Sequence, residues 1–297
     1  MPTPVEVRRF LHVNYNCVDL DNLERFYVDV FGLKTVMKSG STDADGTPFG
    51  IYGPTASQAV FVYDHRGGRR SNALELVKWI DPPTVGNVYP DPWDRGIQSV
   101  AYSSPDLDAT ALRLVEHGGS VVRRGEGWLL AKDPEDVWIE VLYAPGPSEA
   151  RYLRVVCSDL ERTMAWWSGI GFATADLATP PAHEMWPSVG DRAIVTEQPM
   201  VATDDSSFGI VFTTWSGPAP IGPTYAMPYH QGLYRMAMAI DDVPGMFDSL
   251  IEMGVARQNF YTFQLPGTKL TKGLTMVFVR DPDGILVELV DRPRSVA

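Results

Sequence analysis

The feature that most constrains this chain is a segment it contains twice. Residues 132–145, KDPEDVWIEVLYAP, are echoed at 280–293, RDPDGILVELVDRP. Each opens on a basic residue and Asp-Pro, makes a turn, and enters a strand with one carboxylate among apolar residues, Glu140 in the first and Glu288 in the second. Proline fixes φ and aspartate caps its own backbone, so the turn has a local cause. Val-Trp-Ile-Glu-Val-Leu and Ile-Leu-Val-Glu-Leu-Val are β-rich runs. A glutamate inside such a strand faces water or a site, because burying it unpaired is costly. The recurrence points to an internal repeat, which must be traced before any fold is assigned.

Four segments share one pattern of strand, Asp-containing cap, amphipathic helix, glycine and further strands. The first opens at 11–19; Leu23, Phe26, Tyr27, Val30 and Phe31 then recur at helical spacing, with Asp19 or Asp21 to cap and Gly32 to stop. Residues 38–58 are polar and Gly-rich and read as a loop, before strands at 58–63 and 73–79, the second holding Glu75. The second copy opens at 97–104, with its helix starting from Asp106 and Gly118-Gly119 ending it. The third starts at 152–157, and the fourth at 234–240. Pro-rich crossovers fall at 81–94 and 216–232, and Ala144–Ser148, APGPS, reads as a linker. A βαβββ unit of roughly seventy residues buries a poor core alone. Pairing copy one with two and three with four gives an α+β chain of two domains, 1–146 and 147–297. Each is a curved mixed sheet with helices outside and a cleft inside.

This arrangement resembles the vicinal oxygen chelate superfamily, which includes glyoxalase I, methylmalonyl-CoA epimerase, extradiol dioxygenases and the bleomycin-resistance proteins. The resemblance rests on Asp133-Pro134…Glu140, on Asp281-Pro282-Asp283-Gly284…Glu288, and on the opening strands with their Asp-started helices. It implies a divalent metal inside a cleft, with ligands from the first and last strands of two paired modules. Counted back from the helix-opening Asp residues, the first-strand positions are His12, Ser99, Tyr152 and Arg235; the last-strand positions are Glu75, Glu140, Val211 and Glu288. For the first pair the resemblance implies metal ligands His12, Glu75 and Glu140, with Glu75 or Glu140 also acting as base. In the second pair Arg repels a cation and Val cannot coordinate one. That pair is expected to be metal-free, with Arg235 paired to Glu288 in its cleft.

One imidazole and two carboxylates suit Mn²⁺, Fe²⁺, Co²⁺, Ni²⁺ or Zn²⁺ rather than Ca²⁺. Taken singly, His12 reads equally as a core histidine, Glu75 as a water-facing strand residue, and Glu140 as the partner of an arginine. The implied activity is metal-assisted isomerase, epimerase or lyase chemistry on a small oxygenated substrate. The alternatives are ring-cleaving oxygenation and metal-free sequestration of a hydrophobic compound. The net charge of −12 argues against nucleic acid, whose affinity comes largely from Lys and Arg on phosphates. No apolar run reaches membrane-span length and no leader is visible, so a cytoplasmic protein is expected, with a small molecule as partner and a homodimer compatible with the reading. Two cysteines, Cys17 and Cys157, make a disulfide framework unlikely and occupy equivalent core positions.

Overall fold

The computed structural model describes residues 5–186, 194–217, 220, 222, 225, 227–252, 261–263 and 274–291. The four modules are present. The first holds β1 (Val7–Asn16), α1 (Leu20–Phe31), β2 (Lys34–Asp45), β3 (Pro54–Tyr63) and β4 (Ala73–Asp81). The second holds β5 (Gly96–Ser104), α2 (Leu107–Glu116), β6 (Ser120–Gly125), β7 (Trp128–Lys132) and β8 (Trp138–Tyr143). The third holds β9 (Ala150–Val156), α3 (Leu160–Gly169), β10 (Phe172–Thr174), α4 (Ala182–Met185), β11 (Ile194–Ala202) and β12 (Asp205–Ser216). The fourth holds β13 (Gly232–Ile240), α5 (Val243–Glu252), β14 (Tyr261–Phe263), β15 (Leu274–Arg280) and β16 (Leu286–Asp291).

The helix starts follow from their caps. The carboxylates of Asp19, Asp106 and Asp159 accept the backbone N–H of Asn22, Ala109 and Arg162, satisfying donors that a helix N-terminus leaves over. Gly32 ends α1 in the left-handed region at φ 67°, where its N–H closes onto the Val28 carbonyl. The expected loop at 38–58 is instead largely strand: β2 and β3 form an antiparallel hairpin. β2 is an edge strand exposed along much of its length, so its sequence is polar and carries no apolar alternation.

The module pairing expected above is corrected by the strand order. One eight-stranded sheet runs β14-β15-β16-β13-β1-β4-β3-β2 and joins modules one and four. The other runs β10-β11-β12-β9-β5-β8-β7-β6 and joins modules two and three. The two sheets are therefore not the halves 1–146 and 147–297. Each first strand is covered on one side by its own module's last strand and open on the other, so all four present the same free edge. The short Ala144–Ser148 link lets β9 pass beyond β8 and close antiparallel on β5. That step spans two inter-strand spacings, about 10 Å, within reach of a few extended residues. β1 and β13 then close on each other. The two crossovers clasp, with Val85 N–H to the Tyr229 carbonyl at 3.0 Å and Gln231 N–H to the Val85 carbonyl at 2.8 Å.

One core joins the helices to the outer faces of both sheets, running from Val13, Tyr15 and Leu23 through Tyr102 and Leu153 to Met236 and Val287. The Asp-Pro turns bolt modules together across it. Buried Asp133 accepts hydrogen bonds from Tyr15 at 3.2 Å and Tyr27 at 3.0 Å, both in module one. It also accepts the N–H groups of Glu135 and Val137. Asp283, at the repeat position of Glu135, accepts from the Ser158 backbone and hydroxyl of module three, as Glu135 accepts the Val18 and Asp19 N–H groups of module one. The repeated Asp-Pro segment thus owes its form to the fold as much as to any site.

Candidate functional site

Each sheet curls around a cleft, and the eight register positions read from the sequence all point into one or the other. In the module one–four cleft, alternation along the strands sends Leu74, Leu76, Val287 and Leu289 to the core and turns Glu75 and Glu288 inward. A register shift between Phe10 and His12 lets Leu11 and His12 both face the cleft.

Four side chains meet on its floor. The Arg235 guanidinium donates from Nη2 to Glu75 Oε2 at 2.8 Å and from Nε to Glu288 Oε2 at 3.1 Å. His12 Nε2 lies 3.4 Å from Glu75 Oε2 and 3.9 Å from Glu288 Oε2. Phe49 covers the guanidinium, its ring centroid 5.3 Å from Arg235 Cζ, and Phe61 stands edge-on to the imidazole at 5.5 Å. Burial pushes the Glu75 carboxyl above its usual range, and the neighbouring Arg235 opposes that only in part. Above the floor opens a cavity of about 470 Å³, walled by Met37, Phe61, Met276 and Phe278, within the size range of small-ligand sites.

The floor of the module two–three cleft is filled. Glu140, fully buried, accepts Arg154 Nε at 2.7 Å, Arg154 Nη2 at 3.1 Å, Ser99 Oγ at 2.6 Å, and the Tyr152 hydroxyl. Arg154 also bonds Glu197, and its Nη1 reaches Thr213 Oγ1 at 3.2 Å. Burial works against the Glu140 charge, yet the Arg154 guanidinium outweighs it and holds the carboxyl below its usual range. Over this pair α4 packs Met185 and Trp186 onto Trp128, Trp138 and Trp215, with the Trp138 and Trp186 rings 4.8 Å apart.

The expected set of His12, Glu75 and Glu140 is therefore not assembled. His12 and Glu75 meet Arg235 and Glu288, while Glu140 belongs to the other sheet, where an arginine satisfies it. The expected Arg235–Glu288 pair is present, with Glu75 as a third member. Arg154 escaped the sequence reading. Its signal is a lone guanidinium inside the apolar strand Tyr152–Cys157, two positions beyond Tyr152 and so on the same face.

The floor does not fit a divalent cation. A metal between Glu75 and Glu288 would take the seat of the guanidinium that bridges them, and the like charge on Arg235 would repel it at contact distance. Among the described residues no group of three or more His, Cys, Asp or Glu is disposed to hold a metal ion. Nor, among those residues, is any helix long and apolar enough to cross a membrane.

Comparisons with known proteins agree with this architecture. Residues 9–141 match the model of the Glyoxalase/Bleomycin resistance protein/Dioxygenase superfamily. A curated relative, lactoylglutathione lyase of Arabidopsis thaliana, is 26% identical over 170 residues, which are 54% of this chain and 53% of that protein. The match thus spans about half the length of the curated relative. Glyoxalase I from Zea mays superposes with a TM-score of 0.64 at 19% identity, covering 95% of this chain and 92% of that one. A putative dioxygenase from Bacillus subtilis gives 0.60 at 13% identity, covering 98% and 87%. At these identities the structural likeness speaks to the fold. The match to the Glyoxalase/Bleomycin resistance protein/Dioxygenase superfamily thus covers residues 9–141, and the glyoxalase fold extends across both sheets.

Proposed function

We propose that this protein binds a small, largely apolar organic molecule in the module one–four cleft without a metal ion, in the manner of the sequestering members of that superfamily. The observation that carries the reading is Arg235 seated between Glu75 and Glu288 at 2.8 and 3.1 Å. A guanidinium there supplies permanently the positive charge that two buried carboxylates require. The aromatic and methionine walls supply the apolar contact, and the floor supplies a few polar groups that fix orientation. The floor of the module two–three cleft, closed by Trp186 and the Glu140–Arg154 pair, serves as core. The test is calorimetric titration with small aromatic ligands before and after dialysis against a strong chelator, beside elemental analysis of the protein. Unchanged affinity with no stoichiometric metal is expected. Binding that disappears with the chelator and returns with Mn²⁺, Ni²⁺ or Zn²⁺ would reject the reading.

A second reading uses the same cleft for isomerase or epimerase chemistry. Glu75, its carboxyl raised by burial and 3.4 Å from His12, is suited to take a proton from carbon and return it. Glu140, locked beneath α4, has no part in it. Deuterium entering a bound ligand from D₂O, and lost on Glu75→Gln, would favour this reading over simple binding. The ring-cleaving alternative needs two imidazoles with a carboxylate, and His12 is the one histidine lining this cleft among the described residues.

A further inference from the structure

The distribution of charge along this cleft identifies a class of ligand, an inference that rests on the binding reading above. On the buried floor stand the carboxylates of Glu75 and Glu288, the Arg235 guanidinium that both already engage, and the His12 imidazole. Arg69 lines the same cavity but is exposed, which places it at the mouth. Its backbone carbonyl is held by the Arg9 guanidinium. Among the described residues no carboxylate is paired with its own guanidinium. Between floor and mouth the walls are aromatic and thioether side chains. The cavity thus runs from a desolvated floor that offers carboxylate acceptors, through an apolar waist, to a positive rim.

We propose that the cleft takes an amphipathic aromatic acid, inserted with a neutral hydrogen-bond donor such as a hydroxyl toward Glu75 and Glu288 and with its carboxylate at Arg69. The opposite orientation would bury a third carboxylate beside two others, where neither water nor a free cation compensates it. A hydroxyl placed on the floor donates to a carboxylate and leaves the net charge as it is. A carboxylate at the mouth stays partly hydrated and meets a planar guanidinium whose fork matches it. The ring in the waist meets Phe61 and Phe278, where aromatic pairs favour tilted or offset geometry.

Three matched compounds test this by calorimetry on the full chain at low salt: a hydroxyphenyl-alkanoate, the phenyl-alkanoate lacking the hydroxyl, and the hydroxyphenyl-alkanol lacking the carboxylate. The hydroxy acid should bind tightest. Removing its carboxylate should weaken binding about three- to fivefold, the scale of a partly exposed ion pair, and the gap should narrow at high salt. Arg69→Ala should lower the affinity of the hydroxy acid to that of the alkanol, weaken the phenyl-alkanoate by the same factor and leave the alkanol unchanged, while Arg69→Lys should restore part of the difference. Equal affinity of acid and alkanol for the wild type, or an acid preference that survives Arg69→Ala, overturns the assigned orientation while leaving the binding reading intact. Failure of all three compounds to bind at millimolar concentration overturns both.

Discussion

Replacing Glu140 separates the structure from the reading that places this residue in a metal site. In Glu140→Gln the side chain keeps its shape but loses its charge. Arg154, 1% exposed, then retains Glu197 as its anionic partner but loses two charge-assisted bonds, at 2.7 and 3.1 Å. Glu197 is itself partly exposed and bonds a different nitrogen, so it compensates only in part. Breaking one side of a buried ion pair costs about 3–5 kcal/mol. At about 2–4 °C per kcal/mol for a chain of this order of size, the melting temperature should fall on the order of 10 °C. The pH dependence has a definite sign. Arg154 holds the folded-state pKa of Glu140 below its ordinary value of 4.5, so the stability it contributes is fully present above that value. It is lost as pH falls through the folded-state pKa, and the gap between wild type and variant should close in acid. Urea denaturation at several pH values measures the gap, and titration at permissive temperature measures ligand affinity, which should be unchanged. A Glu140→Gln protein of wild-type stability that has lost ligand binding or metal content would refute the assignment of this residue to the core.

Arg235→His removes the resident cation and adds an imidazole beside His12, Glu75 and Glu288. The variant should acquire stoichiometric Zn²⁺ or Ni²⁺ by elemental analysis, where the wild type acquires none. Arg235→Met leaves two buried carboxylates facing each other, so one should take up a proton, and the variant should gain stability as pH falls from neutrality toward 5, followed by thermal melts. Burial raises Asp133 to about 7. Between its ordinary value of 3.8 and that point the folded state binds more protons than the unfolded state, so this group lowers stability as pH rises. Asp133→Asn keeps an acceptor for the Glu135 and Val137 N–H groups and cannot ionise, and its stability relative to wild type should improve from pH 5 to pH 8 in urea titrations. Phe61→Ala opens the cavity wall, and ligand affinity should drop several-fold with a smaller loss of stability than Glu140→Gln, read by the same two assays.

Much of the fold was legible along the chain because its causes are local. Asp19, Asp106 and Asp159 cap helices that begin one residue later, and Gly32 stops the first in the only backbone region that closes the cap. The alternation around Glu75, Glu140 and Glu288 sets each on the strand face opposite its adjacent apolar residues, since a strand's period is two wherever its neighbours lie. The strand β2 was missed because an edge strand facing water carries no such alternation.

What the tertiary structure alone decided is which cleft each glutamate enters. The four first strands offer equivalent open edges, and no periodicity within a module states which edge meets which. Closing β1 on β13 brings Arg235 to Glu75 across 160 residues of chain. Closing β5 on β9 delivers Arg154 to Glu140. One pairing leaves an apolar cavity over a charged floor, and the other packs tryptophan beside its buried ion pair. The sequence by itself determined that these carboxylates share the strand face opposite their adjacent apolar residues. Their partners, and so the chemistry open to them, depended on contacts between modules far apart in the chain, because side-chain register is a local property and strand pairing is not.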